Sequence, residues 1–311
     1  MRAVQVPDEQ ATLLAKLRGN ATFRAATEST LKEGLGVHHE ASAALAAQIG
    51  RLLEVAYPYY VTPDMSLLVQ HAAGGLDDED LFDPSLAPTG AGFVRFERPL
   101  SITDVRGAHM KANWMLWGPS PAGTLIVIWN DVRDPDDVTH YLEGEFGREV
   151  KRVMGNWSII GGTHVLVGAP LGEERVPVPE QYLADLEADG IEPTPFTNIE
   201  RLAQSLWLLL DQTLVSTREE QARPKQTHHA RKLNLKTRVT VIDLRRMVGA
   251  NRAEGESHIE WSHRWVVRGH WRWQACGVGY SERRRIWVAP FIKGPDDAPL
   301  ATNERVYALR R

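Results

Sequence analysis

The sequence predicts an α+β fold with mixed helices and a largely antiparallel sheet. Three observations lead there. Apolar residues recur at helical spacing across residues 39–57 and 198–214. The run Leu125-Ile126-Val127-Ile128-Trp129 and the later Val239 to Leu244 have strand chemistry. Helical and strand segments do not alternate in the regular manner of a parallel α/β chain.

Taken in order, Leu13, Leu14 and Leu17 mark one face of a helix over residues 8–18. Leu45, Ile49, Leu52, Leu53 and Ala56 make the stripe of a second helix, which Pro58 should stop. Thr62-Pro63-Asp64 reads as a further helix start, leading through Leu67 and Leu68. Gly74 to Pro88 holds five acidic residues without the spacing of a calcium loop, and reads as a solvated loop. From Gly92 the pattern turns to sheet, with Leu125 to Trp129 as a buried central strand. Acidic residues in the loop over 130–137 should lead into a helix. Gly161-Gly162 suggests a hairpin turn within the apolar stretch 153–167. Asn198 is a candidate cap for a core helix reaching Leu214. The Pro-, Glu- and Asp-rich stretch from Leu171 to Pro195 reads as a linker or a surface excursion. It separates an acidic α+β region over 1–190 from a helix plus basic β-rich region over 191–311, as two units or one continuous domain.

Charge is divided along the chain. From Arg218 onward there are 20 Lys or Arg against 10 Asp or Glu, leaving 16 against 30 upstream. Either the basic segment faces an anionic partner, or it pairs with the acidic half of its own chain. The single cysteine, Cys276, excludes an intrachain disulfide. The start has no secretion-signal pattern, and the apolar run at Leu206 to Leu210 is too short to span a bilayer. A soluble cytoplasmic protein with no membrane partner is expected.

The segment richest in chemistry is WVVRGHWRWQACGVGYSERRRIWVAPFIKG, residues 265–294. Half of the ten tryptophans fall between Trp261 and Trp287, interleaved with arginines. Indole plates beside planar cations stack on flat groups and grip anions. Arg268 and Arg272 are candidate anion clamps, Trp271 and Trp273 candidate stacking groups, and His270 and Gln274 candidate hydrogen-bonding groups. Arg283, Arg284, Arg285 and Lys293 extend the basic surface. In a strand, Arg283 and Arg285 share one side while Arg284 points away. Gly269 allows a sharp turn or a close approach. In a nuclease, His270 would be the acid–base group, with Arg268, Arg272 or Lys293 stabilising phosphate. The alternative is a strand whose tryptophans are core. The adjacent His228 and His229, and His258, His263 and His270, lack zinc spacing, and no phosphate-loop or nucleophile-elbow motif occurs; neither a metal nor a cofactor is expected.

WVVRGHWRWQ followed by RRRIWVAPFIKG resembles a C-terminal signature of actinobacterial and phage proteins. It is also similar to the anti-CRISPR family whose founder blocks production of the type V-A effector nuclease. The resemblance covers about a tenth of the chain, through Trp265, Arg268, Gly269, His270, Trp271, Arg272, Gln274, Ile286, Trp287, Pro290, Lys293 and Gly294. It implies a phage or mobile-element protein acting by macromolecular recognition. The leading expectation is a non-enzymatic binding protein that contacts RNA or a protein–RNA complex through this segment. A nuclease using His270 and a pure protein-interaction module engaging a host protein are the alternatives.

Overall fold

A computed structural model describes residues 3–35, 39–77, 79–103, 109–121, 123–131, 157–165, 171, 199–245, 265–267 and 269–293. The chain opens with three helices: α1 (Val6–Gly19), α2 (Ala21–Leu35) and α3 (His39–Val55). Pro7 sits in the first turn of α1 beside Asp8 and Glu9, while Lys16 and Arg18 occupy its last turn, matching the helix dipole at both ends. Asn20 then caps α2, its side-chain oxygen accepting from the Phe23 N–H at 2.9 Å. Strand β1 (Tyr57–Val61) and helix α4 (Pro63–Gly74) follow, then β2 (Gly92–Thr103), β3 (His109–Ser120), β4 (Gly123–Asp131) and β5 (Trp157–Val165). Helix α5 (Ile199–Leu210), β6 (Val215–Gln221), the short α6 (His228–Lys232) and β7 (Arg238–Leu244) complete the body. The tail adds β8 (Trp265–Val267), β9 (His270–Cys276), β10 (Glu282–Val288) and β11 (Phe291–Lys293).

Seven strands form one sheet in the order β5-β4-β3-β2-β1-β7-β6. Among the described strands only β1 pairs in parallel, with β2 on one side and β7 on the other. The remaining pairs are antiparallel, so the α+β expectation holds. Strands from both sides of residue 190 enter this sheet, because β7 and β6 extend it from β1.

Side chains in β3 and β4 alternate between two apolar layers. Trp114, Leu116, Leu125, Val127 and Trp129 face α1, α2 and α3. Met115, Trp117, Ile126 and Ile128 face α4 and α5. A strand buried on both faces reads as a continuous apolar run, which is why Leu125 to Trp129 was legible as central. On the α1 side, Arg95 lies 4.0 Å above the Trp114 ring, whose indole N–H donates to Glu9. Burial and a hydrogen bond to Glu97 push the neighbouring Tyr60 phenol far above its ordinary range.

Three expectations are corrected. Gly161 and Gly162 make no hairpin turn: they lie inside β5 opposite Ile128 and Val127, and the register shifts beside them. Glycine in a strand marks such bulges as readily as turns. Pro58 does not stop a helix but sits inside β1; α3 has already ended at Val55. Helix α5 closes at Leu210, short of Leu214. The expected helix after 130–137, the stretch 172–195 and the Asn198 cap lie outside the described residues.

Gly92 pairs with Trp117 across β2 and β3, and the indole lies directly over it. A Cβ there would sit 2.1 Å from Trp117 Cζ2. Because Trp117 is fully buried, Gly92→Ala should lower stability by about 1–3 kcal/mol, read as a reduced thermal midpoint.

Candidate functional site

Strands β9 and β10 form a two-stranded hairpin with Trp271 opposite Trp287 and Trp273 opposite Arg285. In this register Trp271, Trp273, Arg283, Arg285 and Trp287 share one face, while His270, Arg272, Gln274 and Arg284 occupy the other. Arg283 and Arg285 therefore lie on one side with Arg284 on the opposite side, as the strand period requires.

The tryptophan face docks on the body. Trp287 is 6% exposed and joins the core of the α4–α5 layer. The Trp271 ring meets it edge-on at 5.2 Å, and its indole N–H donates to the Ala72 carbonyl at 2.8 Å. Both rings press on Gly75, where a Cβ would lie 3.3 Å from Trp287 and 3.5 Å from Trp271. Gly269 accepts the other edge of Trp287: a Cβ there would fall 2.5 Å from its Cζ2 and 3.0 Å from Pro290. The close approach expected of this glycine is thus made by the chain's own indole. Gln212 clips the hairpin from below, its side chain donating to the Arg285 carbonyl at 3.1 Å and accepting from the Trp287 N–H at 3.2 Å.

Arg285 makes the main ionic contact. Its two terminal nitrogens donate to the two oxygens of Asp80 at 2.6 and 2.7 Å, a bidentate pair. The side chains are 11% and 15% exposed. Trp271 and Trp273 approach the guanidinium at 5.8 and 5.5 Å. Asp80 also accepts from the Asp77 N–H. The acidic loop is therefore not simply solvated, as its composition suggested; one of its carboxylates is a structural anchor. Arg284 pairs with Asp211 and donates to its carbonyl at 2.6 Å.

Between the hairpin, the 79–88 loop and α5 lies a cleft of about 780 Å³. Trp207, Leu208 and Leu210 contribute its apolar lining, with Leu81, Leu86 and Trp273 at the rim. Trp273 is 60% exposed. The aromatic base continues inward, from Trp207 to Trp117 at 5.9 Å and on to Tyr59 at 5.4 Å. Burial pushes the Tyr59 phenol above its usual range. Helix α5 holds the loop in place: Gln204 accepts from the Asp83 N–H and donates to the Leu81 carbonyl, and Arg201 donates to the Leu76 and Leu171 carbonyls. Four carboxylates line the cleft (Glu79, Asp80, Asp83 and Asp211) against two guanidiniums, Arg284 and Arg285. Among the described residues, Trp207 Nε1 and Arg285 Nε are buried donors without a hydrogen-bond partner.

Of the residues singled out in the sequence, Trp273, Arg284 and Arg285 line this cleft. Trp271 is half-buried beneath them, and the exposed His270, Arg272 and Gln274 lie on the outer strand face, where Arg272 donates to Gln274 at 2.7 Å. Arg283 is exposed. Lys293 is placed by backbone only, opposite Trp265, and Arg268 lies outside the described residues. Sequence reasoning missed Asp80, Trp207, Asp211 and Gln212 as site residues; the excess of acid upstream was a signal for the two aspartates alone. Among the described residues no group of three or more His, Cys, Asp or Glu is placed to hold a metal ion, and no helix is long and apolar enough to cross a membrane.

The fold and cleft define an α+β protein with a hairpin-walled groove. No protein-family description matches the chain, and no curated protein matches it. Among solved structures, the crystal structure of AcrVA2 is a remote likeness: 14% identity, 93% of each chain covered, TM-score 0.32.

Removing the anchor should be costly. Asp80→Ala leaves the buried Arg285 guanidinium with only the exposed Asp77 carboxylate, 4.0 Å away, and should lower stability by about 2–4 kcal/mol in urea denaturation. Adding Arg285→Leu should recover much of that loss, because the stranded charge is gone.

Proposed function

We propose that the chain is a non-enzymatic recognition protein whose cleft takes a polypeptide segment of its target. The observation that carries this is the composition of the cleft. An apolar, aromatic lining and an open Trp273 face offer the large contact area that anchors protein partners. Carboxylates outnumber guanidiniums two to one, and both guanidiniums are already paired. A polyanion is repelled by such a rim, whereas a segment with apolar side chains and a lysine or arginine complements it. An anti-CRISPR-like role in a phage or mobile element is the form of this reading that the C-terminal motif suggests.

A second reading keeps RNA, or the RNA of a protein–RNA complex, as the partner. It is favoured by the exposure of Arg283 on the same hairpin face as the open Trp273 ring, with Arg272 exposed on the outer face. The nuclease reading draws on the same strand as this second one. It is separated from it by cleavage products that vanish in His270→Ala.

A peptide array presented to the full chain tests the first reading. Retained sequences should be enriched in Lys or Arg beside Leu, Phe or Met. Trp273→Ala should weaken retention roughly thirtyfold, the effect of losing an interface anchor of about 2 kcal/mol. Asp83→Lys with Asp211→Lys should shift the preference toward acidic sequences. Absence of peptide retention, together with salt-sensitive capture of labelled RNA lost in Arg272→Glu/Arg283→Glu, would replace it with the second reading.

A further inference from the structure

The basic segment upstream of the hairpin has a different fate from Arg284 and Arg285. Residues 221–242 contain Arg223, Lys225, Arg231, Lys232, Lys236 and Arg238, and no Asp or Glu. Three of these cations are engaged: Lys236 lies 4.0 Å above the Tyr57 ring and donates to the Val55 carbonyl, Arg238 pairs with Glu219 at 2.9 Å, and Arg231 Nε donates to the Thr227 hydroxyl at 3.2 Å, leaving its terminal nitrogens outward. Arg223, Lys225, Arg231 and Lys232 are exposed, as are His228 and His229. None of these four cations has an ion pair among the described residues.

They are also held in place. Thr227 and Ala230 are fully buried, and the Ala230 N–H donates to Asp8 of α1 at 3.0 Å. Just past the end of α6, Asn234 has a φ of 60°, which lets the Leu235 N–H return to the Ala230 carbonyl at 2.9 Å. With Ala230 and Leu235 turned into the core, the polar side chains of this turn project outward. Between α1 and α6 lies a cleft of about 400 Å³. Ala11, Ala15, Gly19 and Leu233 give it an apolar lining, while Lys16, His229 and Lys232 bring cations to the same space. Its helices pack on the opposite face of the sheet from Trp273 and Trp207.

We infer that this turn and cleft bind a single-stranded nucleic acid. Phosphates lie along Arg223, Lys225, Arg231 and Lys232, and one unstacked base enters the apolar cleft. Cations beside an apolar slot are the pairing that single strands need, and a duplex keeps its bases stacked and out of reach. An anionic bilayer is disfavoured, because interfacial binding needs apolar side chains standing beyond the cations, and here Ala230 and Leu235 point inward. The site stands independently of the polypeptide cleft.

The test is fluorescence anisotropy of the full chain with a labelled oligouridylate and its single-stranded DNA counterpart. About four phosphate contacts give a slope near −3 in log affinity against log salt, roughly a 50-fold loss between about 50 and 200 mM. Arg231→Glu/Lys232→Glu should weaken binding at least tenfold and reduce that slope by about half. Ala15→Leu, which narrows the cleft, should weaken the oligonucleotide more than inorganic polyphosphate. Arg272→Glu/Arg283→Glu on the hairpin should change neither. Should the α6 variant lose its parent's thermal midpoint, Arg223→Glu/Lys225→Glu on the preceding turn takes its place. Unaltered binding in the α6 variants overturns the inference, as does loss confined to the hairpin variant. Equal capture by phosphatidylserine vesicles, or equal competition by polyglutamate, overturns it too.

Discussion

A sheet whose central strands have no polar face must be covered twice. Trp114, Leu116, Val127 and Trp129 point one way and Met115, Trp117, Ile126 and Ile128 the other, all buried. The antiparallel hairpins β2–β3–β4 cannot stand alone with both faces wet, since each buried side chain of this size is worth about 1.5–3 kcal/mol. The N-terminal helices close one side. On the other, α4 and α5 lie beneath the hairpin, and Trp287 completes the layer from far along the chain. The order of layers follows from this need, and it fixes which surfaces remain for partners.

That constraint explains what the tail's unusual composition does. The interleaved tryptophans and arginines read equally well as a stacking surface or as a strand with a core face, and the strand period divides them. Trp287 is core and Trp271 half-buried against it, the pair seated on Gly75 and Gly269, and among the described tryptophans of the hairpin Trp273 presents the open ring. The strands, the glycine's close approach and the division of the arginine run were legible because alternation is a local property. The anchors were not, because Asp80 and Gln212 are brought to the hairpin by tertiary contacts across 205 and 73–75 residues of chain. Composition reads an acidic loop as solvated unless its counter-charge is known.

The polar edge strand β6 and the short helix α6 were hidden for a related reason. The strand VSTREEQ lies at the sheet margin with mostly exposed side chains. Charged residues there blunt an open edge, so they mask the apolar alternation that announces a strand. Helix α6 has five residues and one buried side chain, too little periodicity to register. Its conformation is set by Asp8 from another helix and by Asn234 in the left-handed region. By contrast α1, α3 and α4 bury long stripes, and their patterns survive in the sequence.

The split between an acidic front and a basic back is cancelled inside the fold for some cations and left at the surface for others. Arg285 crosses to Asp80 of the acidic half and spends its charge inside the fold, where a bidentate pair flanked by indoles is little screened by salt. Arg223, Lys225, Arg231 and Lys232 lie where no carboxylate reaches them among the described residues. Roughly 8–10 Å of screened water isolates charges on one face from those on the other. A chain of net charge −4 can therefore present an acid-rimmed groove beside Trp273 and a cationic turn on α6 without either cancelling the other. Net charge averages over the very feature that decides what each face attracts.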